Sequence, residues 1–302
     1  MNTQSNAIPD TPRAAQGFAP AVIPESRLLY WSVMRELWES RSIYIAPLAV
    51  AALVLVGHLI ATIGRAMSVT NLAQRGAILE EHYSFAALAI MGTTFVVAVF
   101  YSLDALHGER RDRSILFWKS LPVSDLTTVL SKAAIPLGVL PLLTFAITVV
   151  TQLIMLLMSS AVLLGSGLSV ATLWAQLSQS WLGLLYHLVT VHSLWYAPIF
   201  AWLLLVSAWA RRAPILWAAL PLLAIALVEK IAFNTTHFAI MLGNRMGGGA
   251  EAVTMPGGSP MDPMTHLTPA HFLTSAGLWI GLAMTAAFLA GAVRLRRSQG
   301  PI

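Results

Sequence analysis

The side chains that could carry out chemistry in this chain are a few histidines and one acidic residue set in apolar sequence. His58, His187 and His192 lie within long apolar stretches, where polar groups are costly and often line a pathway. Each imidazole can equally serve as a hydrogen-bond donor to a neighbouring helix. His187 and His192 are five residues apart, a spacing that does not favour one face of an α-helix and so argues against a metal site. Glu229 is a further pathway candidate, either inside the bundle or snorkelling at the interface beside Lys230.

Methionine and histidine are also concentrated between residues 234 and 270, which contain five of the 12 methionines. The residues concerned are Met241, Met246, Met255, Met261, Met264, His237 and His266. Thioether and imidazole ligands suit Cu(I). Their spacing is irregular and the segment is rich in glycine and proline, which favours a mobile external loop and leaves ligand binding open.

Several classes of chemistry are excluded by what the sequence lacks. The chain has no cysteine, so disulfides, thiolate metal sites and cysteine nucleophiles are impossible. It has neither a G-x-x-x-x-G-K-[ST] phosphate loop nor an H-E-x-x-H pair. We therefore expect no enzymatic activity, no cofactor bound by this chain and no nucleic-acid partner.

The composition is that of a protein whose solvent is a lipid bilayer. Of its 302 residues 57% are hydrophobic and only 10% are charged, and the mean hydropathy is +0.72. A transmembrane helix needs about 20 apolar residues, and charge-free runs of that length recur. We predict an all-α polytopic membrane protein with one domain, residues 26–302, after a disordered cytoplasmic tail, residues 1–25. The six predicted spans are residues 43–64, 82–103, 133–158, 181–210, 214–233 and 271–293.

The distribution of basic residues orients these spans. With a cytoplasmic N-terminus, most of the 18 Lys and Arg residues fall on the inner side, as the positive-inside rule requires. A seventh crossing between the third and fourth spans would move Arg211, Arg212 and the basic C-terminal tail outside. Both termini are therefore predicted to lie in the cytoplasm, and the bilayer is expected to be a bacterial inner membrane. Tyr83 and Tyr101, near the ends of the second span, are expected to be interfacial aromatics.

An amphipathic helix is predicted just before the first span, in the stretch SRLLYWSVMRELWESR. Helical spacing places Tyr30, Met34, Leu37 and Trp38 on one side of it. Its aromatic residues and flanking arginines favour a position in the cytoplasmic interface, with packing on a partner subunit as the alternative.

The most charged stretch, GERRDRSILFWKSLP, follows the second predicted span. A charged loop of this kind can act simply as an anchor that stops a helix. An anchor has no need for consecutive Ile115, Leu116, Phe117 and Trp118, however, and an exposed apolar cluster of that size usually marks a contact site. We therefore expect the loop, residues 104–132, to dock onto another protein.

This region resembles the permease subunits of ABC transporters of the ABC-2 type. The matching residues are Glu109, Arg110, Arg111, Asp112, Arg113, Ser114, Leu121, Pro122, Val123, Ser124 and Lys132. The likeness extends to the layout of an N-terminal interfacial helix, six spans and short cytoplasmic links. It implies a permease, acting as an exporter by alternating access, that is driven by a separate ATPase subunit carrying ATP and Mg²⁺. It also implies a second permease copy or a related permease.

The resemblance further implies that the loop forms a coupling helix seated in a groove of the ATPase. The expected docking residues are Glu109, Arg110, Arg111, Asp112, Arg113, Ile115, Leu116, Phe117, Trp118 and Pro122. The apolar members would fill the groove, and the charged members would fix the register at its rim. Pro122 would end this helix, and Ser124 or Asp125 would cap the next. A non-transporting scaffold or sensor that recruits a cytoplasmic partner through the same loop is the alternative function.

Small residues in the sixth predicted span form a G-x-x-x-G pattern at Gly277 and Gly281. Such a pattern allows two helices to approach closely. The contact can lie within one subunit or against a second copy.

Overall fold

The structure is a computed structural model that describes residues 24–65, 72–121, 123–164, 181–247 and 269–300. All the secondary structure within these ranges is helical. The predicted disordered tail, residues 1–25, falls almost wholly outside them, and its last residue, Glu25, begins the first helix. Pro122 and the central part of the methionine-rich segment also lie outside the described residues.

The first half of the chain contains three longer helices followed by two short ones. Helix α1 spans Glu25–Glu39, α2 spans Ser42–Arg65 and α3 spans Leu72–Asp104. The short helices α4, His107–Arg111, and α5, Ile115–Ser120, follow directly. Together α4 and α5 are called the loop helices below.

A long interrupted helix follows the loop helices. Helix α6, Asp125–Ala134, passes through a π-helical segment, Ile135–Val139, into α7, Leu140–Leu164. Ser124 caps α6 by accepting a hydrogen bond from the backbone N–H of Thr127 at 3.0 Å, which confirms the predicted cap. The π-helical segment contains Pro136, whose nitrogen has no hydrogen to donate to the helical ladder.

Six helices follow in ranges 181–247 and 269–300. Helix α8 spans Trp181–Trp195 and ends in a π-helical segment, Leu188–Trp195. The remaining helices are α9, Ala197–Trp209; α10, Pro214–Phe233; α11, His237–Met246; α12, Pro269–Thr274; and α13, Ala276–Ser298. Helix α11 lies in the segment for which the sequence predicted a mobile loop, so that prediction is wrong for these ten residues.

Among the described residues, five helices are long and apolar enough to cross a membrane, or six if the bent pair α8 and α9 forms one span. The five candidates are Ser42–Thr62, His82–Arg111, Asp125–Ser160, Pro214–Phe233 and Ala276–Ser298. Their length and composition are those of a membrane-embedded protein. The fold class predicted from the sequence is confirmed to this extent.

Several candidate spans of the structure differ in their bounds from the predicted ones, and the second of them extends to Arg111. The third, residues 133–158, belongs to the longer candidate Asp125–Ser160, because Lys132 is buried and paired and need not mark the end of the apolar run. The fourth, residues 181–210, consists of two helices that meet at 44°. The sixth begins at Ala276 rather than at residue 271, since an extended Ser275 separates α12 from α13.

The helices form two packed groups, one around α9 and the other made of α2, α3 and α7. Helix α9 packs most extensively against α13, and α2, α3 and α7 pack against one another. Helix α9 is largely enclosed, with Phe200 and Leu204 fully buried. Helix α10 lies at the surface, with Ala218 as its one buried residue. Helix α9 also contacts α6 and α4, so it supports the loop helices through α4.

Tyr83 and Tyr101 point into the bundle, so the prediction that they are interfacial aromatics is wrong. Both side chains are buried, and both hydroxyl groups have partners inside the protein. The Tyr83 hydroxyl lies 3.4 Å from Ser159 Oγ, and the Tyr101 hydroxyl donates to Glu36 at 2.8 Å. Position near the end of an apolar run does not reveal which face of the helix a tyrosine occupies.

Gly277 and Gly281 make room for side chains of the same chain. A Cβ at Gly277 would lie 3.3 Å from the Trp195 ring, and a Cβ at Gly281 would lie 1.6 Å from Nη2 of Arg245. Arg245 donates to the carbonyl of Gly277 at 2.9 Å, and its guanidinium stacks on Trp195 at 4.1 Å. The G-x-x-x-G pattern therefore serves packing within the subunit, where α8 and α11 meet α13.

Candidate functional site

Six charged side chains meet where α1, α4, α6 and α13 converge. This ionic cluster comprises three carboxylates and three cations: Glu36, Glu109, Asp125, Arg35, Lys132 and Arg296. The side chains of Glu36, Glu109, Lys132 and Arg296 are at most 7% exposed. Opposite charges are balanced within the cluster, as burial of ions requires.

Glu36 links helix α1 to the rest of the bundle. Both of its carboxylate oxygens lie 3.0 Å from Nζ of Lys132. Arg35 donates to the same carboxylate at 2.6 Å, and the Tyr101 hydroxyl donates to it at 2.8 Å. Glu36, from the polar side of the predicted amphipathic helix, therefore faces the protein, while Tyr30, at 55%, and Trp38, at 68%, are exposed on α1.

Glu109 occupies the centre of the cluster and joins the loop helices to three other helices. Its Oε1 lies 3.1 Å from Nζ of Lys132 and 3.8 Å from Arg35, and its Oε2 accepts from Arg296 at 3.1 Å. The Oε1 contacts are ion pairs without hydrogen-bond alignment. Arg296 also donates to Asp125 at the start of α6. Through Glu109, α4 is therefore in direct contact with charged residues of α1, α6 and α13.

The charge state of Glu36 predicts how the cluster responds to acid. Burial raises the pKa of Glu36, but Lys132 and Arg35 outweigh burial and hold that pKa below its ordinary value of 4.5. A carboxyl whose pKa is lowered on folding stabilises the fold above its unfolded pKa, and this stabilisation is lost as pH falls through the folded value. We expect the thermal unfolding midpoint of the detergent-solubilised chain to fall on acidification below about pH 4.5. A Glu36→Gln variant should show a lower midpoint at pH 7 and a flatter acid profile; a parallel fall in both proteins would contradict the assignment.

Helix α4 is held in place by the end of α9. Ser207 Oγ accepts from the backbone N–H groups of Leu106 and His107 at 3.0 and 2.9 Å, which satisfies the start of α4. Arg110 donates to the carbonyl of Ala208 at 2.6 Å, so it closes the C-terminal end of α9. The position of α4 is therefore fixed by hydrogen bonds on both of its sides.

Three of the residues expected at a docking surface are inside the protein. Glu109 and Arg110 are 8% and 6% exposed, and Ile115 is 2% exposed. The two charged residues were expected at the rim of a groove, and this expectation is wrong because Glu109 is ion-paired and Arg110 donates to backbone carbonyls within the subunit. Ile115 anchors α5 to the protein beneath it rather than facing a partner.

The remaining docking candidates form an exposed surface on the loop helices. Leu116 and Phe117 are 58% and 59% exposed and are called the α5 apolar face. Trp118 is half-buried, with its ring packed edge-on against Phe117 and stacked on Arg35 at 3.9 Å. The flanking charged residues Arg111, Asp112 and Arg113 are exposed. An apolar pair surrounded by charge is thus presented on top of the ionic cluster.

The proposed pathway residues do not meet in one place. His58 is buried and lies 3.1 Å from Ser159 Oγ, near Tyr83. Glu229 caps α11, since its carboxylate accepts from the backbone N–H groups of His237 and Phe238 at 2.7 and 2.8 Å. These contacts support a structural role for both residues, and a role in a pathway stays a prediction.

His187 and His192 lie closer together than their spacing suggested. Their ring centroids are 5.5 Å apart, because the π-helical segment of α8 aligns residues five positions apart through i→i+5 hydrogen bonds. The Nδ1 atom of His192 is buried without a hydrogen-bond partner. The prediction that the two rings occupy different faces is therefore wrong, although the described residues contain no group of three or more His, Asp or Glu side chains suited to a metal ion.

Sequence reasoning missed the pairing partners of the loop. In the sequence, Glu36 was noted only as part of an amphipathic helix, Lys132 as a residue at the start of the third predicted span, and Arg296 as part of a basic tail. A usable signal was present, since Lys132 precedes a long charge-free run, and a cation at such a position needs a buried anion. No local sequence pattern indicated which acidic residues would pair with Lys132.

Comparison with known proteins leaves the interpretation to the residues themselves. No family model, curated protein or solved structure matches this chain. The geometry of the described residues defines a helical bundle with membrane-length apolar helices and, above its ionic cluster, the exposed α5 apolar face surrounded by charge.

Proposed function

We propose that this chain is the permease subunit of a bacterial ABC-2-type exporter, driven by a separate ATPase that docks on the α5 apolar face. The observation that carries the proposal is the position of Glu109. It joins α4, next to the docking surface, to Lys132 of α6 and Arg296 of α13 through buried ion pairs. Both α6 and α13 belong to candidate membrane spans. Movement imposed on the loop helices by an ATPase would be transmitted to these spans through the buried ion pairs of Glu109.

The proposal places the loop helices and both termini in the cytoplasm of a six-span protein. Arg294 and Arg297 are exposed at the end of α13, near the loop helices, as the positive-inside rule favours. Helix α1, with its exposed aromatic residues, would lie in the cytoplasmic interface and follow the loop through Glu36. The ATPase would supply ATP and Mg²⁺, and a second permease subunit would complete the pathway.

A charge placed on the α5 apolar face tests the docking role. We expect Phe117→Asp to reduce assembly with the ABC ATPase that co-purifies with the wild-type chain by at least tenfold, because a central aromatic anchor contributes about 2 kcal/mol or more to an interface. Phe117 is exposed, so the variant should fold like the wild type. The measurement is the amount of ATPase retained by the purified, tagged chain, together with its unfolding midpoint.

Phe117→Leu is the matched control, because it keeps an apolar side chain and should retain assembly. Wild-type assembly and wild-type stimulation of ATP hydrolysis by Phe117→Asp would overturn the docking role. Reduced assembly by Phe117→Leu to the level of Phe117→Asp would point to a requirement for aromatic shape rather than for apolar burial.

Transport and scaffolding are distinguished by movement at the opposite end of the bundle. The chain has no cysteine, so spin labels attach only to introduced residues. Lys230→Cys and Ile280→Cys place labels at exposed positions of α10 and α13, far along these helices from the loop. A permease predicts a change in the distance between the labels when the bound ATPase is trapped with ATP. An unchanged distance in an assembled complex would favour the scaffold or sensor.

A further inference from the structure

A cavity of about 740 Å³ lies where the turn between α9 and α10 meets α4 and the end of α13. Its walls include Arg110, Arg211, Trp209, Trp217 and residues 298–300. A volume of this size is within the range of pockets that hold small ligands. No role in docking or in the ionic cluster accounts for it.

Two arginines and no carboxylate side chain line the cavity among the residues that the structure describes. Arg110 is held by carbonyl groups through Nε and Nη1, which leaves its Nη2 without a partner among the described residues. Arg211 is exposed, and across the described ranges it forms no ion pair. Two guanidinium groups at one cavity repel each other, and a bound anion would offset that repulsion. Guanidinium groups also match the geometry of phosphate oxygens.

The cavity is also continuous with an apolar surface. The rings of Trp209 and Trp217 pack edge to face with centroids 4.8 Å apart, and both side chains are nearly half exposed. Beside Trp217, Ile215 and Leu216 are exposed on α10. Tryptophan is enriched at the level of lipid headgroups. A ligand with an anionic head and apolar chains would use both the arginines and this surface.

We propose that the cavity binds the phosphate-bearing headgroup of an anionic phospholipid, with its acyl chains along α10. The site is independent of the assignment as a permease and requires only that the chain is embedded in a bilayer. Because Arg110 belongs to α4, an occupied site would fasten the loop helices to the turn between α9 and α10. Lipid composition would then affect how firmly the docking surface is held.

Neighbouring arginines provide a matched test. Arg211 lines the cavity, whereas the adjacent and equally exposed Arg212 does not. Neither side chain forms an ion pair within the described residues, so both glutamine variants should fold. In mixed micelles we expect phosphatidylglycerol to bind the wild type and Arg212→Gln alike, and Arg211→Gln about fivefold more weakly, as the loss of one cation near an anionic lipid implies. Binding is measured by native mass spectrometry and by the rise in unfolding midpoint.

Four outcomes would overturn the proposal. The first is that Arg211→Gln binds phosphatidylglycerol as tightly as the wild type, and the second is that Arg211→Gln and Arg212→Gln lose equal amounts of affinity for it. The third is that the wild type binds phosphatidylcholine as tightly as phosphatidylglycerol. The fourth is that millimolar inorganic phosphate raises the unfolding midpoint as much as the lipid does. The second would indicate diffuse attraction to a charged surface, and the last would indicate a site for a free anion.

Discussion

Replacing Glu109 by glutamine is expected to lower the free energy of unfolding by about 3–5 kcal/mol, which is the usual cost of breaking a buried ion pair by removing one partner. Lys132 and Arg296 would remain buried with their nearest shared carboxylate gone. The change keeps the size of the side chain, so lost packing contributes little. The measurement is thermal or denaturant unfolding of the purified chain in detergent micelles at neutral pH.

Asp112→Asn is the control for this prediction. Asp112 lies three residues further along the loop and pairs with Arg111 at the surface, where both side chains are more than half exposed. Water and salt screen exposed ion pairs, which therefore contribute little to stability, so this variant should be nearly as stable as the wild type. Equal stability of Glu109→Gln and Asp112→Asn would show that the cluster is not buried in solution.

Loss of Glu109 should also separate docking from coupling. The α5 apolar face does not include Glu109, so the variant should still bind the proposed ATPase. The ties from α4 to α6 and α13 would be lost, and we expect the distance between labels at positions 230 and 280 to stop responding to ATP. A normal response in Glu109→Gln would contradict the proposed route of transmission.

Lys132→Met is expected to cost a similar 3–5 kcal/mol at pH 7, since it leaves the carboxylates of Glu36 and Glu109 buried with fewer cations. The cost should shrink as pH falls. Lys132 is a main reason why the pKa of Glu36 is low, so its removal lets Glu36 become protonated and neutral under milder acid. The measurement is the difference in unfolding midpoint between wild type and variant across the acid range.

Lys119→Met is the control for Lys132→Met, because Lys119 is exposed and, within the described residues, donates to the backbone carbonyl of Gln299 without forming an ion pair. It should cost little at any pH. The double variant Glu109→Gln with Lys132→Met should cost less than the sum of the two single changes, because the two residues contact each other. Additive costs would indicate that the two side chains act independently.

The elements of this protein that depend on local sequence were predictable. Apolar runs of membrane length gave the candidate spans, and the fifth predicted span coincides with α10, Pro214–Phe233. The Ser-Asp start of α6 was recognised as a cap, because a serine side chain satisfies helix N–H groups only at that position. The exposure of Leu116 and Phe117 was also anticipated, although Ile115 in the same run is buried.

Predictions failed where the outcome depended on helix faces or on irregular backbone. Tyr101 lies near the end of a predicted span but points to Glu36. Residues 82–103 carry no Asp, Glu, Lys or Arg, so no local pattern distinguishes the protein-facing side of this span from its other sides. The geometry of an α-helix predicted that His187 and His192 lie on different faces, whereas the π-helical segment places their rings side by side. Gly277 and Gly281 were correctly read as a close-packing pattern, but their partners were chosen by the arrangement of α8 and α11.

The sequence by itself determined that the chain is helical and rich in membrane-length apolar segments, and that its charge is concentrated in the loop between two of them, because these properties follow from composition and short-range pattern. The tertiary structure alone decided what that charge does. Glu109 is separated from Lys132 and Arg296 by very different lengths of chain, and only the packing of α4 against α6 and α13 brings the three together. A buried charge must find its counter-ion wherever the fold supplies one, so the packing of the helices decides which residues of the loop are paired inside and which, like Leu116 and Phe117, stay exposed.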